Sequence, residues 1–460
     1  MQEWVNSAHL PIPFWNHLSW YWNCKEILKG LYFSYNKQRK EAFPLIVYAY
    51  FAALRYWKDP QELLEAYESL SKNHPGALIN QPEDLQRLPG GKEDVLVVVP
   101  MSGAVQAQII KASQAYGATV IFAAYVPGNV EAKWETLMLT HNAAPTVMDC
   151  WSVLRRNKRA VLAQNNDELE RGCRLMQAFL HFLRAKLLLV GEAEPWVISC
   201  SRDLEDYRRM GLSIEQIPQD EVVRLYEKTT REDGSQLEAY YRKNAKTIVE
   251  PTTEDLYNGA RMAKALLTLM EQHQACGMAL ACFNLLQTGT NCCLGVSYIN
   301  EHTPWVAACE GDLDSAVTML MMKQLTKTKL WMANPGLMPG ELIHFSHCTA
   351  PLDATCCGCM NYTLRSHHES GIGTSIDAYL PVGQTVTLCR ISGKTSEMTV
   401  HRGVIQEGEK RCTCRTQSYV RLENHQHYLD TALGCHQVFA FEDITKEITD
   451  FGKMLGLTIL

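Results

Sequence analysis

Four side chains in the C-terminal half of this chain could meet around a divalent metal ion: Glu310, Asn334, His347 and His436. Glu310 stands where an apolar run, Thr303 to Cys309, expected to be a short buried strand, gives way to an apolar helix expected over Ser315 to Leu325. In open α/β sheets ligands bind at the carboxyl ends of strands, and a carboxylate there can ligate a metal or carry a proton. Leu330 to Asn334 reads as a neighbouring strand of the same unit, ending at Asn334. His347 lies just past a strand expected over Glu341 to Ser346, and His436 follows Leu433-Gly434-Cys435 before an apolar strand, Val438 to Phe441. One carboxylate, one or two imidazoles and an amide oxygen suit Mn²⁺ or a similar divalent ion with open positions. The plainer alternative at Glu310 is an acidic turn in which Asp312 or Asp314 caps the helix.

The elements that would hold these residues follow from periodicity. Val95 to Val99 is an unbroken, mostly β-branched apolar run, as in a parallel strand buried on both faces. A turn at Pro100-Met101-Ser102-Gly103, a helix over Ala104 to Tyr116 and a strand over Thr119 to Ala124 complete a β-α-β unit. That turn lacks G-x-G-x-x-G, so a dinucleotide is not supported. Helices are expected over Ala144 to Leu154 and Glu168 to Arg184, and strands over Arg159 to Ala163 and Lys186 to Val190. Ser213 to Lys246 reads as a polar, helix-prone bridge. A second α/β unit follows, with a helix over Leu256 to Gln274 and strand-bearing stretches at Gly277 to Leu286 and Cys292 to Tyr298. Beyond Gly340 come antiparallel strands at Gly373 to Leu380, Thr385 to Ile391, Met398 to Ile405 and Gln417 to Leu422, the material of a barrel. The expected fold is α/β: a helical N-terminal segment (1–90), two doubly wound α/β domains (91–245 and 246–340, the second carrying Glu310), and a C-terminal antiparallel β-barrel domain (341–460) ending in an amphipathic helix, Glu442 to Leu455. The first segment is rich in aromatic residues, Trp4, Phe14, Trp15, Trp20, Tyr21 and Trp22 among them, and suits packing or a subunit contact.

Composition narrows the functions. With 460 residues, 46 % hydrophobic and 20 % charged, the chain is globular rather than disordered. A formal charge of −6 gives no electrostatic case for nucleic acid or an anionic membrane. No basic segment leads into an apolar run at the N-terminus, and Phe43 to Leu54, about a dozen residues, is too short to span a bilayer. The expected location is the cytoplasm. Seventeen scattered cysteines, many inside apolar segments, suit reduced core thiols. Cys356 and Cys359 have C-x-x-C spacing without a second pair to complete a zinc site, and Cys412-Thr413-Cys414 is a second small cluster.

Five segments occur in order: Ala308-Cys309-Glu310-Gly311-Asp312, Ser346-His347-Cys348-Thr349-Ala350-Pro351, Arg365-Ser366-His367-His368-Glu369-Ser370-Gly371, Cys414-Arg415-Thr416-Gln417 and Gly434-Cys435-His436. Together they resemble the L-fucose isomerase / L-arabinose isomerase superfamily, particularly its shorter fucose-isomerase-like members, some of which are implicated in sulfoquinovose breakdown. Asn142-Ala143-Ala144-Pro145 and Val98-Val99-Pro100 fit the same family's N-terminal domain, and the likeness covers residues 92–460. It implies two α/β domains and a C-terminal barrel, a homo-oligomer (trimer or hexamer) with active sites near subunit contacts, and aldose–ketose isomerisation assisted by Mn²⁺. It makes Glu310 a metal ligand and base, and His436 and His347 metal ligands. Asn334 departs from the family, which carries Asp or Glu there. Asn offers a metal its carbonyl oxygen but carries no proton as a carboxylate does, leaving the second proton role to a water, His347 or Asp312.

Arg365, His367, Glu369, Arg415 and Gln417 are candidate contacts to the sugar, since an anionic sugar needs arginine. Alternatively, Arg365 and Glu369 form a local ion pair. The expected function is a metal-dependent isomerase of a hexose, deoxy or anionic sugar. The competing readings are a sugar-binding or regulatory protein that has lost turnover, and a lyase or epimerase using the same metal-enediol chemistry.

Overall fold

The computed structural model describes residues 44–123, 141–156, 158–338, 340–356 and 361–460. The aromatic cluster from Trp4 to Trp22 lies outside them, as do Cys357 and Cys359 of the C-x-x-C stretch.

The first strands are β1 (Ile46–Phe51), β2 (Gly76–Ile79), β3 (Val95–Pro100), β4 (Ala118–Phe122) and β5 (Ala160–Ala163). They form one parallel sheet in the order β2-β1-β3-β4-β5. This corrects the expectation of a helical segment up to residue 90. The run Ile46–Phe51 is apolar at nearly every position, so periodicity cannot separate a buried helix from a buried strand. Its β-branched and aromatic residues pair along the whole length of β3, from Ile46 opposite Val95 to Phe51 opposite Pro100. The expected helices over 144–154 and 168–184 appear as Ala143–Leu154 and Asn166–Phe182, the latter capped by the Asn165 side chain on the Glu168 amide.

Next come β6 (Lys186–Val190), β7 (Ser213–Ile217), β8 (Thr247–Ile248), β9 (Gly277–Leu280) and β10 (Val306–Cys309). All but β8 form a second parallel sheet, ordered β10-β9-β6-β7. The second sheet therefore starts at Lys186, well before residue 246. The polar segment after Ser213 contributes a strand before its helices, because Ile214 and Ile217 find buried places beside β6. Cys293–His302 is a helix, not a strand; it lies between β9 and β10 as the crossover that parallel neighbours require.

The remaining strands are β11 (Leu330–Leu337), β12 (Leu342–His347), β13 (Tyr362–Arg365), β14 (Ser375–Ala378), β15 (Thr385–Ser392), β16 (Glu397–Gln406), β17 (Thr416–Leu422), β18 (Gln437–Ala440) and β19 (Thr458–Ile459). Six of them close an antiparallel barrel in the order β15-β18-β11-β12-β17-β16, sealed by β15–β16 pairing, with β19 added beside β16. Its core is aromatic: Trp331 packs on Phe439, Phe439 on Phe345, and Tyr428 touches both Phe345 and His401. β13 and β14 stand apart with β8 in a three-stranded sheet. β11 pairs with β12 and β18, so Asn334 belongs to the barrel and not to a strand beside β10. The C-terminal helix is Thr445–Leu455. Among the described residues, no helix is long and apolar enough to cross a membrane.

The turn that delivers Glu310 is tightly specified. Glu310 and Gly311 both take left-handed backbone conformations (φ 60° and 65°) between β10 and the helix Leu313–Lys323. A Cβ on Gly311 would lie 2.6 Å from Ala193 Cα and 2.7 Å from the Glu192 carbonyl oxygen, neither of which can swing away. Gly289 also has positive φ (77°), yet a Cβ there meets nothing within 4 Å. Gly311→Ala is therefore expected to cost roughly 2–4 kcal/mol, from backbone strain plus overpacking, against about 1 kcal/mol for Gly289→Ala. Thermal denaturation of the two variants checks this; equal losses would show that the 191–194 loop is not a fixed wall behind the turn.

Candidate metal centre

Glu310, His347 and His436 come together from three elements: the end of β10, the end of β12 and the residue before β18. One ligand atom from each lies within 4.8 Å of the other two, and all three residues are buried. His436 Nε2 is 3.4 Å and His347 Nε2 is 3.9 Å from Glu310 Oε1. The other carboxylate oxygen, Oε2, accepts the Trp196 indole N–H at 2.7 Å.

Each ligand is oriented from behind. The Asp312 carboxylate takes the Nδ1–H of His436 at 2.7 Å, which leaves Nε2 facing Glu310. Thr349 Oγ1 meets His347 Nδ1 at 2.8 Å, turning Nε2 of that ring the same way. Asp312 is the N-cap of the helix Leu313–Lys323, accepting from the Ser315 amide at 3.0 Å, as the plainer reading of this turn expected. The fully buried Arg390 donates to Asp312 Oδ2 at 2.9 Å and to the His436 carbonyl at 3.1 Å. Asp314 lies beside it, accepting from Tyr207 Oη at 2.9 Å and from the Gly393 amide at 2.8 Å.

These contacts set the protonation states. Burial pushes the Asp312 carboxyl up, but the Arg390 charge and the His436 bond outweigh it and hold it well below the usual carboxylate range. Burial also opposes ionisation of Glu310; the His436 bond, the nearby imidazoles and Trp196 keep it below its ordinary value. His347 is pushed down to about 4, first by burial and then by the neighbouring His436, and so is neutral at pH 7. His436 is raised well above the ordinary histidine value: burial works against its charge, but its bonds to Asp312, Cys435 and Glu310 prevail. Asp314 is pushed up to about 7 by burial and by the charge on Asp312.

Asn334 is a neighbour rather than a member of this cluster by contact. β11 places it opposite Ser346, one residue from His347, and one step beyond the Ala333–Gln437 pair that leads to His436. Among the described residues its side chain makes no hydrogen bond. Asp312, considered as a second proton carrier, is held in a buried ion pair with Arg390 that opposes its taking up a proton.

The expected sugar contacts separate. Arg365 pairs with Glu250, through Nε at 2.9 and 2.7 Å, and not with Glu369. Glu369 instead lies 3.5 Å from His367 Nε2. The His367 ring lies 5.8 Å from Phe283, which in turn packs edge-on against Trp196 at 4.9 Å. Arg365, Arg415 and Gln417 line a second pocket on the barrel.

Sequence reasoning missed Trp196, Glu194 and Arg390. The first two sit in the loop after β6, and the rule that ligands gather at carboxyl ends of parallel strands would have found them. Trp196 is 53 % exposed although it touches Glu310, so its ring forms an open wall of the site. Glu194 accepts the Phe283 amide at 3.1 Å and is pushed up by burial. Arg390 interrupts the apolar run of β15, and a charge there demanded buried partners.

The donor set fits a divalent cation: one carboxylate held ionised, one neutral imidazole, and one imidazole locked by a carboxylate behind it. Neither family models nor curated proteins give a match to this chain.

Two outcomes follow. Asp312→Asn is expected to weaken Mn²⁺ binding about 10–100-fold, as loss of an orienting carboxylate does, and to cost roughly 3–5 kcal/mol of stability through Arg390; Mn²⁺ titration by EPR together with denaturant unfolding measures both. Metal must also displace the proton that Asp312 and Glu310 hold on His436. Affinity is therefore expected to rise about tenfold per pH unit up to the raised pKa of His436 and then level off. A flat profile from pH 6 to 8 would contradict this assignment.

Proposed function

We propose that the cluster holds Mn²⁺ or a similar divalent ion and that the protein is an aldose–ketose isomerase. The observation that carries the reading is the meeting of Glu310, His347 and His436 within 4.8 Å, with Asp312 behind His436. The five ordered motifs that resemble the fucose/arabinose isomerase superfamily support it, and each of the three ligands lies in one of them. In the same reading both parallel sheets are doubly wound (the β2-β1-β3-β4-β5 order is one such arrangement), and the protein works in the cytoplasm as a homo-oligomer.

A divalent ion would supply polarisation of the sugar carbonyl, which acidifies the adjacent C–H. Glu310 removes the proton from C2, and the C–H electron pair becomes the C1=C2 bond of a cis-enediol while the carbonyl oxygen O1 takes a proton from solvent. Return of the first proton to C1, with release of the O2 proton to solvent, leaves the ketose. Asn334 carries no transferable proton and Asp312 is held by Arg390, which leaves the return of the proton to Glu310 itself, to His347 or to a water. Trp196 keeps one Glu310 oxygen occupied and leaves Oε1 to face the reacting centre.

The test is incubation with Mn²⁺ in D₂O against neutral and anionic aldoses, followed by mass spectrometry and NMR. The expected result is deuterium at the transferred position together with a new ketose, both reduced about 10³-fold or more in Glu310→Gln, which removes the general base. If sugars bind but none reacts, the isomerase reading is replaced by that of a sugar-binding protein.

A further inference from the structure

A second concave site lies on the barrel, where the loop 410–415 enters β17. It is a pocket of about 270 Å³ whose lining includes Arg365, Lys410, Arg411, Thr413, Arg415 and Gln417. Four cationic side chains gather there against two carboxylates, Asp377 in the lining and Glu250 behind it.

The arginines are held from one side. Arg365 uses Nε and one terminal nitrogen on Glu250. Arg415 donates from Nε to the Ser366 carbonyl at 2.7 Å and from its second terminal nitrogen to Ser366 Oγ at 3.0 Å. Arg411 donates from Nε to Tyr419 Oη at 3.3 Å. Arg411 and Arg415 each keep a terminal nitrogen without a hydrogen bond among the described residues, whereas the remaining one of Arg365 lies 3.9 Å from Asp377 Oδ2. An anchored guanidinium that presents its remaining N–H groups is pre-organised for a tetrahedral oxyanion.

The loop is itself a built structure. Gln417 accepts from the Arg411 amide at 2.8 Å and donates to the carbonyls of Arg411 at 2.8 Å and Cys414 at 3.1 Å. Lys410 bonds Asp377 and, at 3.2 Å, the Arg415 carbonyl. The pocket backs onto β12: Thr413 Oγ1 meets Ser346 Oγ at 3.3 Å, and because Gln417 of the lining pairs with Ser346, the pocket and the His347 ring lie on opposite faces of that strand.

We propose that this pocket binds a tetrahedral oxyanion, a phosphate or sulfonate, either carried on the sugar substrate or free as an effector. The sugar-borne source rests on the isomerase reading; the pocket itself does not. Its small, concave shape and its arginine forks suit an anion of a few atoms better than a polymer.

The experiment is calorimetric titration of the full chain with inorganic phosphate, an aldohexose 6-phosphate and the same neutral aldohexose, at low salt, with and without Mn²⁺. Wild type, Arg411→Gln, Arg411→Lys, Arg415→Gln and Glu310→Gln are compared. At least one phosphate compound is expected to bind. Arg411→Gln should weaken it by about tenfold, with partial rescue in Arg411→Lys, because one charge-assisted bond is lost and Lys restores only the charge. Arg411 is exposed, so its substitution leaves the fold in place. Tighter binding of the sugar phosphate than of free phosphate, strengthened by Mn²⁺ and weakened in Glu310→Gln, assigns the anion to the substrate. Equal binding of both, indifferent to Glu310→Gln, assigns it to a free effector. Absence of phosphate binding, or binding unchanged in both arginine variants, overturns the proposal. Because Mn²⁺ binding and deuterium exchange are read separately, that failure leaves the isomerase reading standing.

Discussion

One buried carboxylate ties the candidate site to the fold. Asp312 caps the helix after β10, holds the guanidinium of Arg390 from β15, and orients the imidazole of His436. Those three partners belong to the second parallel sheet's following helix, to the barrel wall and to the segment entering β18. The parallel-sheet and barrel parts of the molecule are thus joined at this residue. Burying an ion pair is costly unless its remaining donors and acceptors are satisfied, and here most of them are used on backbone or side chains that define the site. Such a network need add little net stability. Its value lies in the penalty for partial disassembly, which would leave Arg390 buried with only the more distant Asp314, 3.7 Å away, as a counter-charge.

The strand-to-helix turn is the second constraint. Two successive left-handed residues, Glu310 and Gly311, reverse the chain abruptly enough that Asp312 begins a helix three residues after the strand ends. A non-glycine residue at φ 60° is strained, and here it is held by surrounding contacts: the Glu310 carbonyl accepts the Glu194 amide at 2.9 Å, and the Gly311 amide donates to the Leu280 carbonyl at 3.0 Å. The same Glu194–Trp196 loop that closes behind the backbone also supplies the indole that engages the side chain. Backbone strain and side-chain placement therefore have one cause.

These facts explain what could be read from the sequence. Local signals were sufficient where periodicity and end signals agree: β3, β6, β10 and the helix from Thr253 to Gln272 lie close to their expected places. They failed where an apolar run has no period, as at Ile46–Phe51, or where a polar strand such as Ser213–Ile217 depends on its neighbour for burial. The convergence of Glu310, His347 and His436 was legible because each adjoins a strand end within a short, recognisable motif. Trp196 and Arg390 were not, because their meaning arises from contacts 114 and 78 residues away in sequence. Asn334 was legible as a residue but misplaced in the fold, since nothing local distinguishes the last strand of a parallel sheet from the first of a barrel.

Asn334 also shapes the electrostatics of the proposed reaction. A divalent ion facing two carboxylates is neutralised; facing Glu310 alone, with neutral His347 and an Asp312 balanced by Arg390, it keeps one net positive charge. That loses metal affinity, because one charge–charge attraction in a low-dielectric site is absent. In the proposed reaction it would gain field at the sugar oxygens, where negative charge would develop as the carbonyl becomes an enediol, and interactions stronger in the transition state than in the ground state are those that accelerate a reaction. The orientation supplied by Asp312 and Thr349 then matters more, since a site with fewer charges depends on geometry to retain its ion. In that reading an amide at this position exchanges binding strength for polarising power, and Glu310 is the one carboxylate of the three-residue cluster.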